Sequence, residues 1–184
     1  MTAAARRWAG ELLHFWFVEL RPEQYWARDD ALDATITARF LPDWQGLHTQ
    51  SSSEFLGDRE TARAAVLLFD QVPRNAFRND LRAYASDTLA LEIATLAISA
   101  GYDERLTCTE RQFLYMPFMH SENLADQDRG MELFAALGDP KIVEFAQGHR
   151  AMIARFGRFP HRNAVLGRIS TAAEAAAVAA GNAW

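Results

Sequence analysis

The sequence predicts an all-α protein, a stack of antiparallel helices, and three observations predict it. No stretch alternates apolar and polar residues with the two-residue period of a half-buried strand. Apolar residues recur instead at helical spacing, and short turns rich in Pro, Gly, Asp and Ser separate the segments that carry them. The chain has 184 residues, 49% of them apolar, enough for a single helical domain over 1–184 to bury a core.

Residues 4–18 read as the first helix, with Trp8, Leu12, Phe15 and Trp16 on one stripe. Pro22 suits the first turn of a short helical piece over 23–27. Asp30 can cap a helix carrying Leu32, Ile36 and Phe40, which should end before Pro42. Trp16, Trp26 and Trp44 are expected in the core as bulky anchors. Residues 45–57, with three consecutive serines, read as a loop holding a solvated His48. A helix over 58–71 is apolar on all sides at 66–69, so its end should be buried, and Pro73 should break it. Asp70 then falls near a helix C-terminus, where a buried carboxylate needs a cation or strong donors.

After a connector at 80–84, Ser86 can cap a helix over 87–99 with Leu89, Ile93, Leu96 and Ala97 on one face, ended by Gly101. A short helix over 109–116 should stop at Pro117. Ser121 can cap an acidic helix reaching Leu137, closed by Gly138. Asp139-Pro140 is a cap followed by a first-turn proline, opening a helix over 141–156. Its inward face is Ile142, Phe145, Ala146, His149, Ile153 and Phe156, and Gly157 ends it. Thr171 and Glu174 make a capping-box pair for a last Ala-rich helix, and Trp184 is terminal. His149, and likewise His14, fit hydrogen-bonded histidines of the interior.

The formal net charge of -5 argues against a nucleic-acid partner, which would need a basic face. No apolar run approaches the ~20 residues of a membrane span. Arg6-Arg7 and the run behind them imitate a secretion signal, but Glu11 and His14 interrupt it. Cys108 is the only cysteine, so no intrachain disulfide forms and a reducing, cytoplasmic compartment fits.

Charge is unevenly placed. From Phe145 to Ala173 there is no Asp or Glu, while Arg150, Arg155, Arg158, Arg162 and Arg168 all lie there with His149 and His161. A basic island in an acidic chain calls for an anion, either a ligand or the protein's own carboxylates.

Four motifs carry a family resemblance: Asp70-Gln71-Val72-Pro73-Arg74-Asn75, the run Arg111 to Glu122, the run Arg155 to Asn163, and Leu166-Gly167-Arg168-Ile169-Ser170-Thr171. Together they resemble the bacterial family catalogued as domain of unknown function 924, over almost the whole chain. The resemblance implies a helical fold similar to tetratricopeptide-type stacks and brings no settled activity with it.

The residues themselves allow two readings. In the first they line a pocket for a small anionic ligand. Arg158 and Arg162 would grip a carboxylate or phosphate in a fork, with Arg74 as a third contact. Gln71, Asn75, Gln127 and Asn163 would orient it. His120 and His161 are the acid–base candidates, with Glu122 or Asp70 orienting a histidine or acting as base. That chemistry is an acid–base hydrolase or lyase without metal or organic cofactor. In the second reading the acidic helix after His120 neutralises the basic island and the network sets helix register. A non-catalytic helical module for an acidic peptide or carboxylate is the alternative function. No His-Glu-x-x-His pattern, cysteine cluster, nucleophile elbow or phosphate-binding glycine loop is present, and the arginines would repel a metal cation.

Overall fold

The computed structural model describes residues 7–181, which are helical with no strand. The expected helix start at Ala4 and the terminal Trp184 lie outside the described residues. The chain forms two compact units. One takes the chain to Arg78 together with Arg82–Pro117; the other takes Asn79–Leu81 and everything from Phe118 onward.

In the first unit α1 (Arg7–His14) buries Trp8, Ala9, Leu12 and Leu13. It runs directly into a π turn, Phe15–Glu19, that turns Phe15 and Trp16 inward. His14 sits on the outer side with 62% of its side chain exposed, so it is not an interior histidine. The helix α2 (Asp30–Leu47) is capped by Asp29, one residue earlier than expected, whose carboxylate accepts the Ala31 and Leu32 amides at 2.9 and 3.2 Å. It also passes straight through Pro42. Proline removes one helical hydrogen bond there, but Phe40 and Trp44 on either side are buried at 1% and 5% exposure. Their burial offsets the missing bond.

Two further prolines behave the same way. The helix α3 (Arg59–Val66) continues through a π turn, Leu67–Gln71, into α4 (Val72–Ala76), with Pro73 in the first turn of α4. The wide π turn accommodates a residue that cannot donate a hydrogen bond. The helix α6 (Cys108–His120) contains Pro117 and does not stop at it. Between them α5 (Asp87–Ser99) buries Ala90, Ile93, Ala94 and Ala97, while Leu96 of the expected face is 40% exposed. Ser86 precedes α5 without capping it. Its hydroxyl donates to the Phe69 carbonyl at 2.6 Å and accepts the Trp44 indole N–H at 2.9 Å.

In this unit α3 packs on α1 and α5, and α2 packs on α4. The stretch 45–57 is less of a loop than its polarity suggests. After α2 ends at Leu47, a 3-10 turn, Ser52–Phe55, drives Phe55 into full burial against Trp8 and Phe69. His48 stacks flat on Trp44 at 4.3 Å instead of being solvated. Trp26 is 57% exposed and is no core anchor; one face of its indole stacks on Phe113 at 5.6 Å.

The second unit begins with residues 118–120 at the end of α6. Next come α7 (Leu124–Ala135) and α8 (Pro140–Phe156), which pack on each other as a helical hairpin. Asn123 caps α7, not Ser121, whose hydroxyl donates to Asp126 at 2.6 Å. Asp139 caps α8 as expected, and Gly157 takes the left-handed φ of 69° that ends it. A 3-10 turn, Pro160–Arg162, leads to α9 (Ala172–Ala179), opened by the Thr171–Glu174 capping box. Met152, Ile153, Phe159 and Ala177 form the core with Phe156 against it. Phe145, expected inside, is 58% exposed.

At Gly130, α7 packs tightly on the end of α6: a Cβ there would stand 3.2 Å from the Phe118 Cβ. Gly130→Val is expected to lower the unfolding free energy by roughly 1–3 kcal/mol through overpacking, read from urea denaturation.

Candidate functional site

The polar residues singled out by sequence fall into two networks, one in each unit. In the first unit the π turn brings the wholly buried Asp70 toward the start of α5. Arg74 stands one turn later. Its guanidinium donates to both Asp87 oxygens at 2.8 and 3.0 Å and to the Asp70 carbonyl at 2.6 Å, and lies 3.2 Å from the Asp70 carboxylate. Gln71 donates to Asp70 at 2.6 Å, and Asn75 donates to the Gln71 carbonyl at 2.9 Å. Burial disfavours charge on Arg74, but Asp70 and Asp87 outweigh it and hold the guanidinium charged above its ordinary pKa. Asp70, Gln71, Arg74 and Asn75 are thus gathered as a fork and its supports, which tie α4 to the first turn of α5.

The second unit holds the rest. Arg158 donates to both oxygens of Glu174 at 2.6 and 3.0 Å and to the Ile169 carbonyl at 3.0 Å. Arg168 donates to both oxygens of Glu122 at 2.6 and 2.9 Å, and Arg150 pairs with Asp128 at 2.5 Å. Three guanidiniums of the basic island therefore meet carboxylates of this chain. Hydrogen bonds from Arg158, joined by the Thr171 amide, pull the Glu174 pKa down to about 2. Burial alone would raise the Glu122 pKa, yet Arg168 and the Phe159 amide together keep it below the usual carboxylate range. Gln127, buried, donates to the Met119 and Ser121 carbonyls, both at 2.7 Å, and steadies the end of α6. Asn163, fully buried, donates to the Ser170 hydroxyl at 3.1 Å.

A distinct cluster surrounds the Phe159 ring. His149 of α8 lies 5.6 Å from it, His161 also lies 5.6 Å away, and the Arg162 guanidinium sits over it at 4.6 Å. His120, at the end of α6, has its ring 6.4 Å from that of His149. His149 Nδ1 stands 2.8 Å from the Phe145 carbonyl, which can only accept, so Nδ1 carries the hydrogen and Nε2 the lone pair. Burial, helped by the nearby His120, His161 and Arg162, lowers the His149 pKa to about 3. His120 and His161 are half-buried; His149 and Arg162 are buried. Among the described residues no group of three or more His, Cys, Asp or Glu side chains is arranged to hold a metal ion.

Glu122, Arg158, His161 and Arg162 of the sequence reading all lie in the second unit, and sequence reasoning missed the pairs Arg168–Glu122 and Arg158–Glu174. The capping box marked Glu174 as a helix start, and only the fold shows that the same carboxylate takes an arginine. Phe159, the hub of the cluster, had no chemical signal at all. His149 is an interior histidine, as expected, and is also a member of the cluster.

A helical protein with a histidine–arginine cluster on an internally neutralised scaffold is the class these features define. The chain belongs to the bacterial family of unknown function DUF924, whose sequence profile matches residues 12–182. A solved structure of a protein of unknown function, ATU0120 from Agrobacterium tumefaciens, is similar over 98% of this chain and 100% of its own, with 35% sequence identity and a TM-score of 0.90. A search of curated proteins finds no match. No helix among the described residues is long and apolar enough to cross a membrane.

Arg74→Ala is expected to destabilise the protein by about 3–5 kcal/mol, because it removes the guanidinium that the buried Asp70 shares with Asp87; chemical denaturation measures it, and Asp70→Asn added to Arg74→Ala should recover part of the loss. The fold lowers the Glu174 pKa from its ordinary 4.5 to about 2. The stability it supplies is therefore complete above pH 4.5 and is lost as pH falls from there toward 2. Glu174→Gln should be less stable at neutral pH but should lack that acid-side decline, which thermal melts across the window would reveal.

Proposed function

We propose that the protein is a cytoplasmic enzyme that moves protons on a small anionic metabolite, in a hydrolase or lyase type of reaction, without metal or organic cofactor. The observation that carries this reading is the gathering of two imidazoles and one guanidinium about Phe159, with a third imidazole, His120, next to His149. Arg162 offers the anion a fork. His120 and His161, half-buried and so within reach of solvent, are the groups to exchange protons with substrate near neutral pH. His149, neutral at physiological pH, supports them from behind without adding charge.

Arg74, Arg158 and Asp70 leave the substrate-contacting set in this proposal, since each already engages a charged partner of the chain. Gln71, Asn75, Gln127 and Asn163 then serve the scaffold. The lone cysteine fits a reducing compartment, and neither nucleic acid nor membrane is needed as partner.

A second reading has its own support. Phe145, one turn before His149, and Ile169, next to Arg168, are 58% and 89% exposed. Apolar side chains beside basic ones suit a tetratricopeptide-like module that reads an acidic peptide or a terminal carboxylate.

A metabolite-library thermal-shift screen on the wild type and on Arg162→Gln separates the two. Small carboxylates or phosphates should stabilise the wild type only, and His161→Asn should reduce turnover of a hit by about 10²-fold or more. Stabilisation by acidic peptides alone would favour the binding module. Variants that merely melt earlier, with no ligand found for the wild type, would refute both.

A further inference from the structure

We infer that Glu122 and Arg168 form a positioning clamp: by gripping both backbone polar groups of Phe159 they set the arrangement of His149, His161 and Arg162, and neither contacts the substrate. The functional meaning of the clamp rests on the acid–base reading above, whereas its geometry can be tested without it.

The hydrogen bonds close a ring. Glu122 Oε1 accepts the Phe159 amide at 2.8 Å and Arg168 Nη2 at 2.9 Å, while Oε2 accepts Arg168 Nη1 at 2.6 Å. Arg168 Nη2 also donates to the Phe159 carbonyl at 3.1 Å. That carbonyl accepts the Arg162 amide at 3.1 Å, and the Arg168 amide donates to the Asn163 carbonyl at 2.7 Å. The Arg168 guanidinium and the Glu122 carboxylate thus fix the start of the turn 159–163 at Phe159, and the Arg168 backbone amide holds its end at Asn163. Charge-assisted bonds of this kind are about twice as strong as neutral ones. The Phe159 ring is wholly buried among His149, His161 and Arg162, so a shift of its backbone moves the surroundings of all three.

Glu122 is poorly suited to be the base itself. Both its oxygens already accept hydrogen bonds, and Arg168 and the Phe159 amide keep it ionised. It acts through Phe159. The charged and titratable groups that bear most on His149 are His120, His161 and Arg162. Arg168→Lys leaves the net charge unchanged, so a change in the His149 titration in that variant reports movement of the turn and not the loss of a charge.

The experiment is a ring-selective NMR pH titration of the histidines in the full chain, for the wild type, Arg168→Lys and Glu122→Gln. Arg168→Lys keeps the net charge and loses the fork. In both variants, with the helical circular dichroism retained, the His149 midpoint should rise by about one pH unit or more as water reaches the ring, and the His161 titration should shift. Retained fold with unmoved His149 and His161 titrations would overturn the clamp. If neither variant folds, amide exchange in the wild type decides. A Phe159 amide protected as well as those of α8 supports the clamp, and one exchanging like an exposed loop amide refutes it. No ligand enters these measurements, so a failed substrate search leaves the clamp standing, and a failed clamp leaves the search open.

Discussion

Glu122 takes a backbone amide and a guanidinium at once, and the order of the last third of the chain follows from that double acceptance. The segment after Gly157 has little regular structure of its own: a three-residue 3-10 turn and a loop precede α9. Such a segment loses conformational entropy when it orders and has few ladder hydrogen bonds to compensate. Charge-assisted bonds supply the difference. Glu122 and the Arg168 guanidinium fix the entry to the turn, the Arg168 amide holds its exit, and Arg158 with Glu174 joins the turn to the helix that follows. Phe159 is buried because its backbone has these partners, and the imidazoles have their surroundings because Phe159 is buried.

The same rule governs the first unit. Asp70 would be a costly interior charge alone, and it sits where a π turn sets Arg74 and Gln71 within reach. Arg74 is shared with Asp87, so one cation answers two carboxylates. Desolvation and Coulomb attraction nearly cancel in such networks. Their value is in register: a fork satisfied on both prongs permits only one placing of α4 against α5.

Internal pairing also limits what the basic island can do. Arg150, Arg158 and Arg168 carry charge that Asp128, Glu174 and Glu122 meet. Arg162 lies over the Phe159 ring among histidines.

The sequence by itself determined the helical class, most helix starts and the caps at Asp139 and Thr171, because these depend on spacing and on hydrogen bonds three residues or fewer away. It also placed the charged motifs beside buried apolar runs. Only the tertiary structure decided which proline ends a helix, since Pro42, Pro73 and Pro117 each sit in helices whose flanking residues are buried deeply enough to outweigh one missing bond. It decided, too, that Trp26 and Phe145 lie outside, and which carboxylate each arginine meets. Glu122 and Arg168 are 46 residues apart. No local pattern records a partnership at that distance, because a guanidinium reads the direction of a carboxylate in space and not its place along the chain.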